Sequence, residues 1–123
     1  MQVTAVTDEM ATYRAAWERR EAAETGALAR RAERARALAT EAARVLRQEF
    51  GAQQVWLFGS LARGEFGRGS DVDLAVLGLD GRHFYAVVGR LAALDPDLEL
   101  DLLDLEVASP TLRRAVETDG VPL

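Results

Sequence analysis

The sequence predicts an α/β (α+β) fold: a small mixed β-sheet with helices packed on one face, extended at its amino end by further helix. Three observations carry this. Gln54–Phe58 and Val72–Leu77 are short runs rich in β-branched and aromatic residues, each next to glycine, as buried strands are. Leu98-Glu99-Leu100-Asp101-Leu102 alternates strictly between apolar and acidic, the period of a half-buried strand. Around these runs, apolar residues recur at three- and four-residue spacing, the period of helices with one buried face.

Taken in order, residues 1–30 read as an amino-terminal helical extension and 31–123 as the domain proper. Met10, Tyr13 and Trp17 form a stripe at i, i+3 and i+7 on a helix that Thr7 is placed to cap. Gly26 breaks or bends this helix from the next, a single long helix being the alternative. The stripe has two readings. Closing the domain core is preferred; docking a partner or a second subunit is the other, because aromatics anchor interfaces. Arg19-Arg20-Glu21 reads as a solvated face. Leu28, Ala35, Leu38, Ala42, Val45, Leu46 and Phe50 make a second stripe that packs on the sheet.

Beyond the second strand, Gly78-Leu79-Asp80-Gly81 is a loop. Arg82–Leu94 carries Phe84, Val87, Val88, Leu91 and Leu94 as a helical core stripe and ends before Asp95-Pro96. The single histidine, His83, falls near its start, where a surface or capping role fits and no nucleophilic triad is in view. Ser109-Pro110 opens the last helix, with proline in the tolerated first position.

Composition sets bounds. The 123 residues suit one domain with a real core, small for an enzyme that must grip two substrates. Cysteine is absent, which excludes disulfides, thiol chemistry and cysteine-held zinc. With no signal peptide and no run of eighteen apolar residues, a cytoplasmic protein away from membranes is expected. Residues 1–50 hold nine arginines against eight acidic residues, whereas 51–123 hold six against twelve. That acidic half argues against tracking along extended nucleic acid, which needs a basic groove. All fifteen basic residues are arginine, from which no function follows.

The chemistry concentrates in residues 59–73. Gly59 ends the first strand abruptly, and with no Cβ it admits unusual dihedrals and close approach of an anion to the backbone. Ser60 is a candidate N-cap for a short turn over Leu61-Ala62-Arg63, whose exposed N–H groups, with the Ser60 hydroxyl and Arg63, favour phosphate. Alone, a Gly-Ser turn after a strand is more often only a turn. Asp71 and Asp73, however, share one face of the second strand while Val72, Leu74 and Val76 face the core. Two such carboxylates repel unless a cation lies between them, and their hard oxygens suit Mg²⁺ or Mn²⁺. A third can come from the alternating strand. Glu99 and Asp101 share a face there and periodicity does not choose between them; Asp104 has the wrong parity unless the strand bends.

Gly59-Ser60-x-Ala62-Arg63-Gly64, five residues, Ser70-Asp71-x-Asp73-Leu74 and a later strand bearing Asp101 resemble the minimal nucleotidyltransferases of the DNA polymerase beta-like superfamily. The resemblance covers roughly residues 35–123, including, less specifically, the final helix, Gly-Val turn and short strand; residues 1–30 have no counterpart. It implies the nucleotidyltransferase fold, with the metal site at the sheet's open face. Gly59 and Ser60 hold the triphosphate, and Asp71, Asp73 and Asp101 bind two divalent metals. Asp101, chosen over Glu99 on this ground, is the general base or the ligand of the nucleophile-side metal. Arg63 either neutralises phosphate or braces the loop through a carboxylate. Ser70, counted among the nucleotide-binding residues, caps the turn that orients Asp71 more than it touches substrate.

The resemblance also implies an antitoxin-type enzyme that moves AMP from ATP to a hydroxyl of a HEPN-domain partner. The runner-up is a non-catalytic module that binds nucleotide or neutralises a toxin by occlusion; intact Gly59, Ser60, Asp71, Asp73 and Asp101 favour catalysis. A small-molecule nucleotidyltransferase of the aminoglycoside type is disfavoured by the short chain. The acceptor site is expected from a partner or from a second copy in a homo-oligomer.

Overall fold

A computed structural model describes residues 2–123, with side chains from Glu9 onward. The chain divides into two compact units, Met1–Arg31 and Ala32–Leu123.

Helix α1 runs Gln2–Phe50 without a break. Gly26 therefore does not end it: one interior glycine costs about 1 kcal/mol, and the neighbouring Ala22, Ala23, Ala27, Leu28 and Ala29 are strong helix formers. Thr7 lies inside the helix and does not start it; its side chain is outside the described residues. In the first unit, which is this helix alone, Met10, Tyr13 and Trp17 are 54%, 65% and 50% exposed. The stripe is thus no part of a core, and the preferred core-closing reading is corrected.

In the second unit, α1 turns one face inward. Ala35, Leu38, Ala39, Ala42, Ala43, Val45 and Leu46 are buried at three- and four-residue spacing. Gly51, at φ 72°, ends the helix in the left-handed region, and the amides of Gly51 and Ala52 return to the carbonyls of Arg47 and Leu46. The chain then forms β1 (Gln54–Phe58), a short turn of helix α2 (Gly59–Ala62), β2 (Val72–Leu77), a 3₁₀ turn (Gly81–His83), α3 (Phe84–Ala92), β3 (Leu100–Asp104), α4 (Pro110–Asp119) and β4 (Val121–Pro122). The sheet order is β3-β2-β1-β4; β1 is antiparallel to β2 and β4, while β2 and β3 are parallel. The sheet is therefore mixed, as expected.

Alternation sorts the strand side chains between two faces. Val55, Leu57, Val72, Leu74 and Val76 join the α1 stripe and Val87 and Leu91 of α3 in the larger core. Trp56, Ala75, Leu105 and Val116 form a smaller cluster on the other face. Helices thus cover both faces: α1 and α3 lie on one, and α4 partly roofs the other, where a single open face was expected. The reason is in α4 itself, whose Val116 needs an apolar partner and finds Trp56.

Local chemistry explains the remaining boundaries. Ser109 caps α4, its Oγ accepting from Leu112 N at 3.2 Å, and Pro110 takes the first position. Asp80 accepts from Arg82 N and so winds the 3₁₀ turn; α3 consequently starts at Phe84, not Arg82, and Val88 falls on its exposed side. His83 is exposed and makes no side-chain cap. Arg90 of α3 grips Glu49 of α1 with two hydrogen bonds of 3.0 and 2.8 Å, and Arg34 grips Asp95 with two of 2.7 Å. These exposed pairs fix orientation more than they stabilise. Among the described residues, no helix is long and apolar enough to cross a membrane.

Gly120 joins α4 to β4 at a close approach. A Cβ there would lie 2.5 Å from the Val116 carbonyl oxygen and 3.3 Å from that of Leu57. Gly120→Ala is expected to lower stability by about 1–3 kcal/mol in urea unfolding, because two backbone segments, not a flexible side chain, must move. An unchanged midpoint would show that β4 is not held as tightly as this.

Candidate active site

The site is built where β1 ends and β2 and β3 begin. Phe58, the last residue of β1, is opposite Asp73, and Asp73 is opposite Asp101 across the parallel pair. Val72 and Leu74 are fully buried, which fixes the face that Asp73 must take. Leu100 and Leu102 pack against the same core and fix Asp101 likewise. Register thus brings together Asp73 and Asp101, two of the residues named from sequence, and Asp71 lies beside them. Val72 N donates to the Glu99 carbonyl at 2.9 Å, so Glu99 is drawn alongside Asp71 although β3 begins only at Leu100.

Gly59 closes the site from the β1 side. Its φ of 75° turns the chain sharply, and a Cβ there would overlap Asp73 Oδ2 and lie 3.1 Å from Asp73 Cγ. The backbone of the loop and the carboxylate thereby sit against each other. Ser60 does not cap α2: the N-cap position is Phe58, with no side-chain cap bond. The left-handed glycine makes the turn by itself, so Ser60 falls inside it. Arg63 pairs with Glu65 at 3.1 Å on the surface, and its charge offsets only part of the rise in the pKa of Asp73 that burial causes. Ser70 Oγ accepts from Gly67 N at 2.9 Å and closes the turn leading into Asp71. Asp104 is buried on the opposite parity and accepts from Glu106 N, a structural role.

The acidic residues strain against one another. Burial, followed by the charges of Asp101 and Asp71, raises the pKa of Asp73. Burial, then Asp71, raises that of Asp101. Glu99 is raised chiefly by the Asp71 charge and by a hydrogen bond with it. Carboxylates held this close repel unless one takes up a proton or a cation lies between them. Among the described residues, no group of three or more His, Cys, Asp or Glu side chains is already arranged as an ion cage. The hard oxygen donors, their mutual repulsion and their placement against Gly59 nevertheless fit Mg²⁺ or Mn²⁺.

A carboxyl whose pKa rises on folding stabilises the fold below the ordinary carboxylate range and loses that contribution as pH climbs through the raised value. In chelator, Asp73→Asn is therefore expected to melt above the wild type at neutral pH, the gap narrowing as pH falls through the raised value toward the ordinary carboxylate range. A gap that does not vary with pH would contradict the strained cluster.

Two further features go beyond the residues chosen from sequence. Glu99 shares its parity with Asp101, and that shared parity is the only signal that could place it in the cluster. An open cleft of ≈ 690 Å³ borders Gly59 and Arg63 and is walled by Leu112, Ala115 and Asp119 of α4. No sequence signal places α4 there.

A mixed sheet with a Gly-Ser turn against paired strand aspartates defines the nucleotidyltransferase class. The model of the family "Polymerase beta, Nucleotidyltransferase" matches residues 41–123, more than half of the chain, and the chain belongs to that family. It is 43% identical over 75 residues to the protein adenylyltransferase MntA of Shewanella oneidensis, covering 58% of this chain and 52% of that protein. The chain therefore spans about half the length of that relative. Among solved structures, it is similar to a toxin–antitoxin with AMP-PNP, at 36% identity and TM-score 0.56, over 64% of this chain and 66% of the other. It is also similar to a complex of a tri-AMPylated Shewanella oneidensis HEPN toxin with its MNT antitoxin, at 29% identity and TM-score 0.54, over 72% and 70%.

Proposed function

We propose that the chain is a metal-dependent protein adenylyltransferase that moves AMP from ATP to a hydroxyl side chain of a HEPN-type toxin, as the antitoxin of the pair. The observation that carries this is the register of Asp73 with Asp101 against a glycine turn with no room for a side chain. The relatives supply the specifics: one is an adenylyltransferase, and another is complexed with an AMP-modified HEPN toxin.

Asp71, Asp73 and Asp101 would hold Mg²⁺ or Mn²⁺, which when bound polarises the α-phosphate and stabilises the leaving pyrophosphate. The Gly59 backbone and the Ser60 hydroxyl receive the triphosphate, and Arg63, exchanging Glu65 for phosphate, neutralises part of its charge. Ser70 holds the turn that aims Asp71. The acceptor oxygen bonds to the α-phosphorus as the bond to pyrophosphate breaks. The acceptor's proton passes to the Asp101 carboxylate as general base. Because much of Asp101 faces solvent, the acceptor approaches from outside on a partner surface.

With ATP labelled at the α-phosphate, the chain and its HEPN-type partner should yield labelled partner only when Mg²⁺ is present, and γ-labelled ATP should yield none. Labelling by the γ-phosphate, or no labelling of the partner, would sink the proposal.

A further inference from the structure

Residues 3–17 carry apolar side chains at Val3, Val6, Met10, Tyr13 and Trp17. The intervals alternate three and four, the period of a coiled-coil seam, with Val3, Met10 and Trp17 at a positions and Val6 and Tyr13 at d. All five lie on the continuous helix α1, within the unit Met1–Arg31. Met10, Tyr13 and Trp17 are half or more exposed, so among the described residues these three have no covering partner within their own unit. Isolated exposed apolar residues need no explanation; a row of large ones at heptad spacing does. The family model begins at residue 41, so family membership does not account for it.

The flanking charges select the occupant. The flanking g position of the first full heptad is Glu9 and the following e position is Arg14. In a parallel, in-register pair of identical helices, g of one chain faces the next e of the other. Two copies would therefore form two symmetric Glu9–Arg14 ion pairs, one on each side of the seam. An antiparallel pairing instead sets g against g and e against e, which brings like charges together. We infer that residues 3–17 of α1 form a parallel two-stranded coiled coil with a second copy of this chain, sealed by Met10, Tyr13 and Trp17 and aligned by Glu9 with Arg14. Two heptads make a short seam, so the dimer is concentration-dependent and salt-sensitive; α1 is already helical, which removes the nucleation cost that limits short free peptides.

Sedimentation of the full chain over a concentration series tests this. Dimer is expected for the wild type, monomer for Tyr13→Glu and weakened dimer for Arg14→Glu. Glu9→Arg combined with Arg14→Glu is expected to restore the dimer. Circular dichroism and melting confirm that each variant keeps its fold, as exposed positions should. The chain has no cysteine, so Tyr13→Cys places one thiol per copy at a d position. Mild oxidation should link the copies in the parallel register and should not do so for the outward-facing Thr12→Cys. A folded wild type that stays monomeric, a dimer indifferent to Tyr13→Glu, or failure of Tyr13→Cys to cross-link would overturn the inference. A monomer that needs the seam only to bind a HEPN-type protein would also overturn it and assign the stripe to that partner.

Discussion

Replacing Asp71 and Asp73 together with alanine is expected to abolish AMP transfer, by at least about a thousandfold, while the domain stays folded. Paired metal-binding carboxylates supply several kcal/mol of transition-state stabilisation, and each 1.36 kcal/mol is about tenfold in rate. Neither residue is a core group: Val72 and Leu74, between and beside them, carry the packing. Removing two mutually repelling charges should, if anything, relax the metal-free fold, since the charges of Asp71 and Asp101 both raise the pKa of Asp73. Transfer to the partner, measured beside the melting temperature, separates lost chemistry from lost structure. The same variant divides catalysis from occlusion. If it still neutralises a HEPN-type toxin fully, modification is not how such neutralisation arises, whatever the wild type transfers.

Gly59→Ala is the second change with a large expected effect. At φ 75° an L-residue is strained, and the added Cβ overlaps Asp73 Oδ2. Either the turn moves or the carboxylate does, and both belong to the proposed site. A loss of about a hundredfold in transfer is expected, because displacements near 1 Å at a reacting centre cost that much. Gly64 supplies the control, having the same φ of 75° with nothing within 4 Å of the point a Cβ would occupy. Gly64→Ala should therefore show only the backbone cost, about 1–2 kcal/mol of stability, with transfer largely retained once folded. Equal activity loss in the two variants would mean that the Gly59–Asp73 contact has no special part.

The core of this fold was legible because periodicity reports burial directly. The leucines of 98–102 put Asp101, with Glu99, on the polar face of its strand, and the alternation of 72–77 did the same for Asp73; that Asp101 faces Asp73 was implied by the resemblance and is seen in the register. The outcomes that sequence could not supply depend on competition between elements. Gly26 is a helix breaker in isolation, yet its alanine-rich surroundings outweigh it. Ser60 is a good cap by type, but the left-handed Gly59 makes the turn first and leaves it no capping position. The Tyr13 and Trp17 stripe reads alike whether it faces a core or water, because its pattern says only that something apolar is wanted. Glu99 illustrates the limit from the other side: parity placed it with Asp101, and only the hydrogen bond from Val72 N to its carbonyl drew it beside Asp71.

Calorimetric titration of ATP into the folded chain, with and without Mg²⁺, and into Asp71→Ala with Asp73→Ala, tests the carboxylate site most directly. The expected result is binding that requires the metal and disappears in the double variant. Binding of equal strength without Mg²⁺, or undiminished in the variant, would contradict the assignment of Asp71, Asp73 and Asp101 as the metal–nucleotide site.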